Sequence, residues 1–102
     1  MSEEFTIEMF REHINSKFRM HHDAPDGSDI ELIRVTDLSP NIRLIQFSIE
    51  FLAPLDTPIG QKTYRLTHPH LGEFDLFLVP IAKDDLGLHY EAVFNRERAE
   101  GA

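Results

Sequence analysis

The sequence predicts an α+β fold, an N-terminal helix packed on a strongly curved or barrel-like six-stranded antiparallel meander. Three observations carry this expectation. Apolar residues keep a helical spacing only near the start, at Ile7, Phe10 and Ile14, and alternate from Lys17 onward. Six alternating segments then follow one another, and no connection is long enough for the crossover that a parallel pair needs. One short helix cannot cover a flat six-stranded sheet, so the sheet must curve.

The helix is expected over residues 6–15. Thr6 is its N-cap, and Phe5 just before it can meet Phe10 as a hydrophobic staple. Glu8 suits the positive end of the helix dipole. Glu8, Arg11, Glu12 and Asn15 make the opposite, polar face, and Asn15 and Ser16 end the pattern.

The first strand is expected at 17–23, where Phe18, Met20 and His22 alternate with Lys17, Arg19 and His21. "APDGSD" is a turn of proline, aspartate and glycine. The second strand, 30–38, is broken by "SPN". The third, 42–53, turns Ile45, Phe47, Ile49 and Phe51 one way and Gln46, Ser48 and Glu50 the other. A loop with two prolines and a glycine leads to the fourth, 62–68, with Tyr64 and Leu66 on one face. The fifth is 73–82. The sixth, 88–96, sets Tyr90, Ala92 and Phe94 against His89, Glu91, Val93 and Asn95. The polar residues 97–102 are expected to fray. One domain spans residues 1–102.

The fifth strand is apolar on both faces, Phe74, Leu76 and Leu78 on one and Phe77, Val79 and Ile81 on the other. Pro80 cannot donate to a ladder, which predicts a bulge there. A strand of this kind is covered on both sides, so the expectation is a closed or nearly closed monomer, with a two-fold homodimer as the alternative.

"LTHPHLGEFDLFLVP" poses the main chemical question, because His68 and His70 stand two apart. Pro69 fits the second position of a type I turn and pushes His68 toward an extended backbone. Gly72 supplies a left-handed residue before the chain re-enters a strand. The stretch therefore reads as a turn with solvated histidines. A metal would need more ligands, with His89 and Asp75 the nearest in register. His21 and His22 point to opposite faces of a strand and cannot share an ion. "DAPDGSD" lacks the spacing of a calcium loop. Ser16, Ser28, Ser39 and Ser48 lack the context of an activated nucleophile, and no glycine-rich phosphate loop is present. No catalytic, cofactor-binding or metal residue is expected, and the balance leans against an enzyme.

The net charge is −8 and the ten basic residues are scattered, which argues against nucleic acid and anionic membrane as partners. No apolar run approaches the roughly 20 residues of a spanning helix. The acidic start, "MSEEFTIE", is unlike a secretory signal, and there are no cysteines, so a cytoplasmic setting is the simplest expectation.

"F-S-I-x-F-x-x-P" (47–54), "T-Y-R-L-x-H-P-x-L-G-x-F-x-L-F-L-V-P" (63–80) and "Y-E-A-V-F-N" (90–95) together resemble the core of a family of small bacterial proteins of unknown function. The resemblance extends more loosely over nearly the whole chain. It implies neighbourhood with phage-tail-collar-like proteins and hands over no catalytic or ligand residue. Two functions follow as expectations. The first is a non-catalytic interaction or assembly module with an unidentified protein partner. The second is a binding protein or enzyme that uses the concave face of the sheet as a pocket, lined from its eight Phe and two Tyr. A filled interior with an exposed apolar patch separates the first from the second.

Overall fold

The computed structural model describes residues 5–22, 27–57 and 60–97, the side chains of 96 and 97 excepted. A short helix, α1 (Ile7–Arg11), precedes six strands: β1 (Lys17–His21), β2 (Ser28–Asp37), β3 (Leu44–Ala53), β4 (Lys62–His68), β5 (Gly72–Asp84) and β6 (Gly87–Glu97). All pairings are antiparallel, and the strands close into a ring in the order β1-β2-β3-β6-β5-β4.

The meander holds within each half of the chain, β1 to β3 and β4 to β6. Between the halves the chain does something the sequence did not announce. β4 pairs with β1 rather than with β3, and β6 runs along the whole of β3, from Leu44↔Glu97 to Ala53↔Leu88. β3 and β4 therefore do not form a hairpin.

The inward positions of all six strands build one core. Phe18, Met20, Ile30, Leu32, Phe51, Leu66, Leu78 and Tyr90 are fully buried. Tyr64 and Tyr90 meet edge-on with ring centroids 6.3 Å apart. Burial pushes the Tyr90 hydroxyl up to about 12, with a smaller contribution from Tyr64.

The helix begins as expected. Thr6 is extended and its Oγ1 accepts the Met9 N–H at 3.1 Å. Phe5 and Phe10 stack with centroids 5.9 Å apart, completing the staple. The helix stops at Arg11, short of the expected 15. The His13 N–H returns to the Phe10 carbonyl, and Asn15 takes φ 76°. The Asn15 N–H then bonds to the Leu32 carbonyl at 2.7 Å, and the Leu32 N–H bonds to the Ser16 carbonyl. This stitch to β2 ends the helix, and Ile14, predicted on the buried stripe, lies exposed. The Phe10 ring packs on Phe47 and Phe94, so α1 closes the end of the ring where β5 begins and β6 finishes.

Strand boundaries fall within two residues of expectation. Residue 23 and the first half of the turn at 24–29 lie outside the described residues, as does the tail beyond Glu97. The pairing of β5 with β6 shifts register between Pro80 and Ala82, the bulge that Pro80 predicts. Another expectation is corrected. The inward face of β5 is covered, but its outward face is not, and Phe77 and Ile81 are 52% and 47% exposed. The helix sits at the end of the ring, so among the described residues no second layer lies over the outside of β5.

Candidate functional site

His68 is the last residue of β4 and points inward, 5% exposed, behind Tyr64 and Leu66. Its Nδ1 accepts two backbone N–H groups of the following turn, from His70 at 3.0 Å and from Leu71 at 3.2 Å. An imidazole nitrogen that accepts carries no proton, so the proton is on Nε2. Nε2 lies 3.0 Å from the Ser16 hydroxyl and donates to it, and that hydroxyl donates to the His13 carbonyl at 2.6 Å. Ser16 and His68 have the separation of a nucleophile and its base, but His68 has no free lone pair with which to take the serine proton.

The rings of His13, His68 and His70 lie within 6 Å of one another. They do not converge on an ion, because both nitrogens of His68 are engaged. Among the described residues no group of three or more histidines, aspartates or glutamates is placed to hold a metal. "HPHLG" is thus a turn, as read from the sequence, but His68 is not a solvated loop histidine. It is a buried neutral acceptor that organises the turn. Burial, and then the proximity of His13 and His70, holds its imidazole below the usual histidine range.

His89 is the second constellation. It lies on the outside of β6, far in register from Asp75, which Arg65 holds at 2.6 Å. Its Nδ1 contacts Glu50 of β3 at 2.7 Å and its Nε2 contacts Asp84 of β5 at 2.9 Å. Burial alone would lower its pKa. The hydrogen bonds and charges of Glu50 and Asp84 outweigh burial and raise it. A ring clasped on both nitrogens by carboxylates is an ion-pair clip across three strands, with no position left for a substrate. His21 bonds to Thr67 and His22 to Ser28, so the adjacent pair separates as expected.

A third feature, open to solvent among the described residues, is the seam between β5 and β6. Val79↔Glu91 is the last rung that these strands share toward the helix end. Beyond it β5 continues from Leu78 back to Gly72 paired with β4, and β6 continues from Ala92 to Glu97 paired with β3. Among the described residues these two stretches do not pair with each other. Phe5 closes the inner side of the gap, its ring 5.4 Å from Phe74 and 5.5 Å from Phe94. A cleft of about 480 Å³ at the gap is lined by the outward Asp75, Phe77, Val79, Glu91 and Val93 and floored by Phe5 and the inward-facing Phe94. Val93, like Phe77, is half exposed.

The sequence profile of a domain of unknown function, DUF6916, matches residues 5–94. The chain belongs to this family. The match supports the resemblance to a family of unknown function. No curated protein and no solved structure matches the chain significantly. The DUF6916 match begins at Phe5 and ends at Phe94, the two residues whose rings meet across the seam. The match therefore covers Phe5, the 72–78 side of the seam and residues 92–94 of the other side.

Sequence reasoning identified the faces of β5 and β6 but not the seam, because alternation reports which way a side chain points and not where two strands part. A signal for His68 was present. The inward alternation of Tyr64 and Leu66, carried one step further, lands on it.

Proposed function

We propose that this DUF6916 domain is a non-catalytic interaction or assembly module that meets its protein partner through the outer face of β5 and β6. The observation that carries this reading is the apolar strip of Phe77, Ile81 and Val93, all about half exposed, beside the open seam. The interior supports the same reading. Bulky side chains, Tyr64, Tyr90, Phe18 and Phe51 among them, are buried in the core. The two most suggestive polar sets, Ser16–His68 and Glu50–His89–Asp84, are satisfied within the fold. A net charge of −8 directs the strip toward a protein rather than nucleic acid or an anionic membrane. The family resemblance makes a phage-tail-like particle in the cytoplasm the first assembly to try.

Affinity purification from the native cells tests the proposal. The wild-type chain is expected to recover one protein in fixed stoichiometry, and Phe77→Asp or Val93→Asp, each shown by circular dichroism to be folded, is expected to lose it. Equal recovery by wild type and both variants would place the contact elsewhere and overturn the proposal.

A further inference from the structure

Where β5 and β6 part, each strand keeps one neighbour among the described residues and has a side that none of them pairs with. In an antiparallel pair, alternate residues turn their N–H and C=O groups away from the partner. Residues 72–78 of β5 and 92–97 of β6 therefore aim backbone donors and acceptors into the seam, from opposite sides. Such edges accept another extended chain, which gains main-chain hydrogen bonds and sets its alternate side chains into whatever pockets flank them. Here the flanking surface is apolar, Phe77 and Val79 from one strand and Val93 and Phe94 from the other. A helix would cover this surface but leave the backbone groups unmet.

Charge selects among extended chains. Glu91 stands at the closed end of the seam, on its last shared rung, and makes no ion pair among the described residues. Glu73 and Asp75 on β5 share the one guanidinium of Arg65, at 3.3 and 2.6 Å. Among the described residues the cleft is thus lined by two carboxylates, Asp75 and Glu91, and by no cation, Asp75 being paired with Arg65 beside it. A second copy of this chain, net −8, would bring its own acidic seam against this one and be repelled.

We infer that the β5–β6 seam docks an extended segment of a partner protein in which apolar residues alternate with lysine or arginine. The segment pairs its backbone with a free edge, covers Phe77 and Val93, and sets a cation against Glu91. About six residues fill the length of the open edge. This inference rests on the interaction-module reading and gives it a ligand chemistry.

The probe is a capped, fluorescently labelled peptide of about ten residues in which valine or threonine alternates with lysine. Its binding is followed by anisotropy, and hydrogen exchange locates the site. The expected result is slowed exchange of amides within 72–78 or 92–97. Binding should weaken about tenfold or more when every lysine becomes glutamate, and vanish when the peptide backbone is N-methylated at alternate residues. Glu91→Lys is expected to reverse the preference between the lysine and glutamate peptides. Glu91→Gln, which changes only charge, should lessen it, and melting curves establish that both variants are folded. Equal binding of the two peptides, or protection confined to other amides, overturns the inference. So does a dimer in light scattering whose formation protects the same amides, because the occupant is then a second copy. If no peptide binds while Phe77→Asp still releases the native partner, the strand-docking inference falls and the interaction-module reading stands.

Discussion

The Nδ1 atom of His68 accepts the backbone N–H of His70, two residues downstream, at 3.0 Å. With Leu71 as a second donor, one ring nitrogen holds the whole turn between β4 and β5. His68→Phe preserves the ring but leaves both N–H groups without this acceptor. Its expected cost is about 2–3 kcal/mol, read from urea denaturation.

The same residue sets a pH dependence. The folded state holds His68 below its ordinary value of 6.5, through burial first and then His13 and His70. Below pH 6.5 the unfolded chain therefore binds a proton that the folded chain resists. The stability due to neutral His68 is complete above about 6.5 and is lost as pH falls toward the folded-state value. The gap in urea midpoint between wild type and His68→Phe should narrow on acidification. A gap that is constant from about pH 7.5 to about pH 5 would contradict the Nδ1-acceptor role.

His89 titrates in the opposite sense. Burial disfavours its charge, but Glu50 and Asp84 together prevail and hold its pKa above 6.5. Its stabilising contribution is present below 6.5 and fades as pH rises through the folded-state value. His89→Gln is expected to destabilise the protein more at about pH 6 than at about pH 8.5, and thermal melts at the two pH values test this.

Two glycines separate strain from collision. Gly72 has φ +82°, and a Cβ there meets nothing within 4 Å. Gly72→Ala should cost only the left-handed strain, about 1 kcal/mol. Gly72→Val should cost more. Gly87, at φ +150°, would drive a Cβ into the Ala53 carbonyl oxygen. That oxygen belongs to the backbone at the end of β3 and cannot step aside. Gly87→Ala is therefore expected to lose several kcal/mol. A melting temperature lower for Gly72→Ala than for Gly87→Ala would refute this ordering.

Phe5 joins helix, β5 and β6 through Phe10, Phe74 and Phe94. Phe5→Ala removes the inner floor of the seam and is expected to cost about 2–3 kcal/mol, less than the roughly 3–5 kcal/mol of a fully buried phenylalanine because the ring is only partly buried. Hydrogen exchange in 92–97 should quicken in this variant more than in β2. Uniform quickening would mean that Phe5 supports the ring as a whole.

The strands were legible because a period of two survives any arrangement of neighbours. Phe47, Ile49 and Phe51 face inward whichever strand lies beside them. The Pro80 bulge was legible because the missing N–H is a local property. The end of α1 was not, because the contact that decides it, Asn15 with the Leu32 carbonyl, joins segments far apart in the chain. Pairing of β3 with β6 is hidden for the same reason, and with it the uncovered outside of Phe77 and Ile81. Of the candidate site, the apolar residues could be read from the sequence. The place where β5 leaves β6 could not.

The joining of the halves has a consequence during synthesis. When the ribosome has released β1 to β3, their hairpins can already form, but the outer edges of β1 and β3 await β4 and β6. Leu44 must wait for Glu97 before its strand is covered. Until then a nascent three-stranded sheet presents two sticky edges and an apolar face that includes Phe18, Ile30 and Phe51. The newborn chain is most exposed to mispairing with its neighbours on a polysome in the interval before β6 emerges, and chaperone capture is most valuable then.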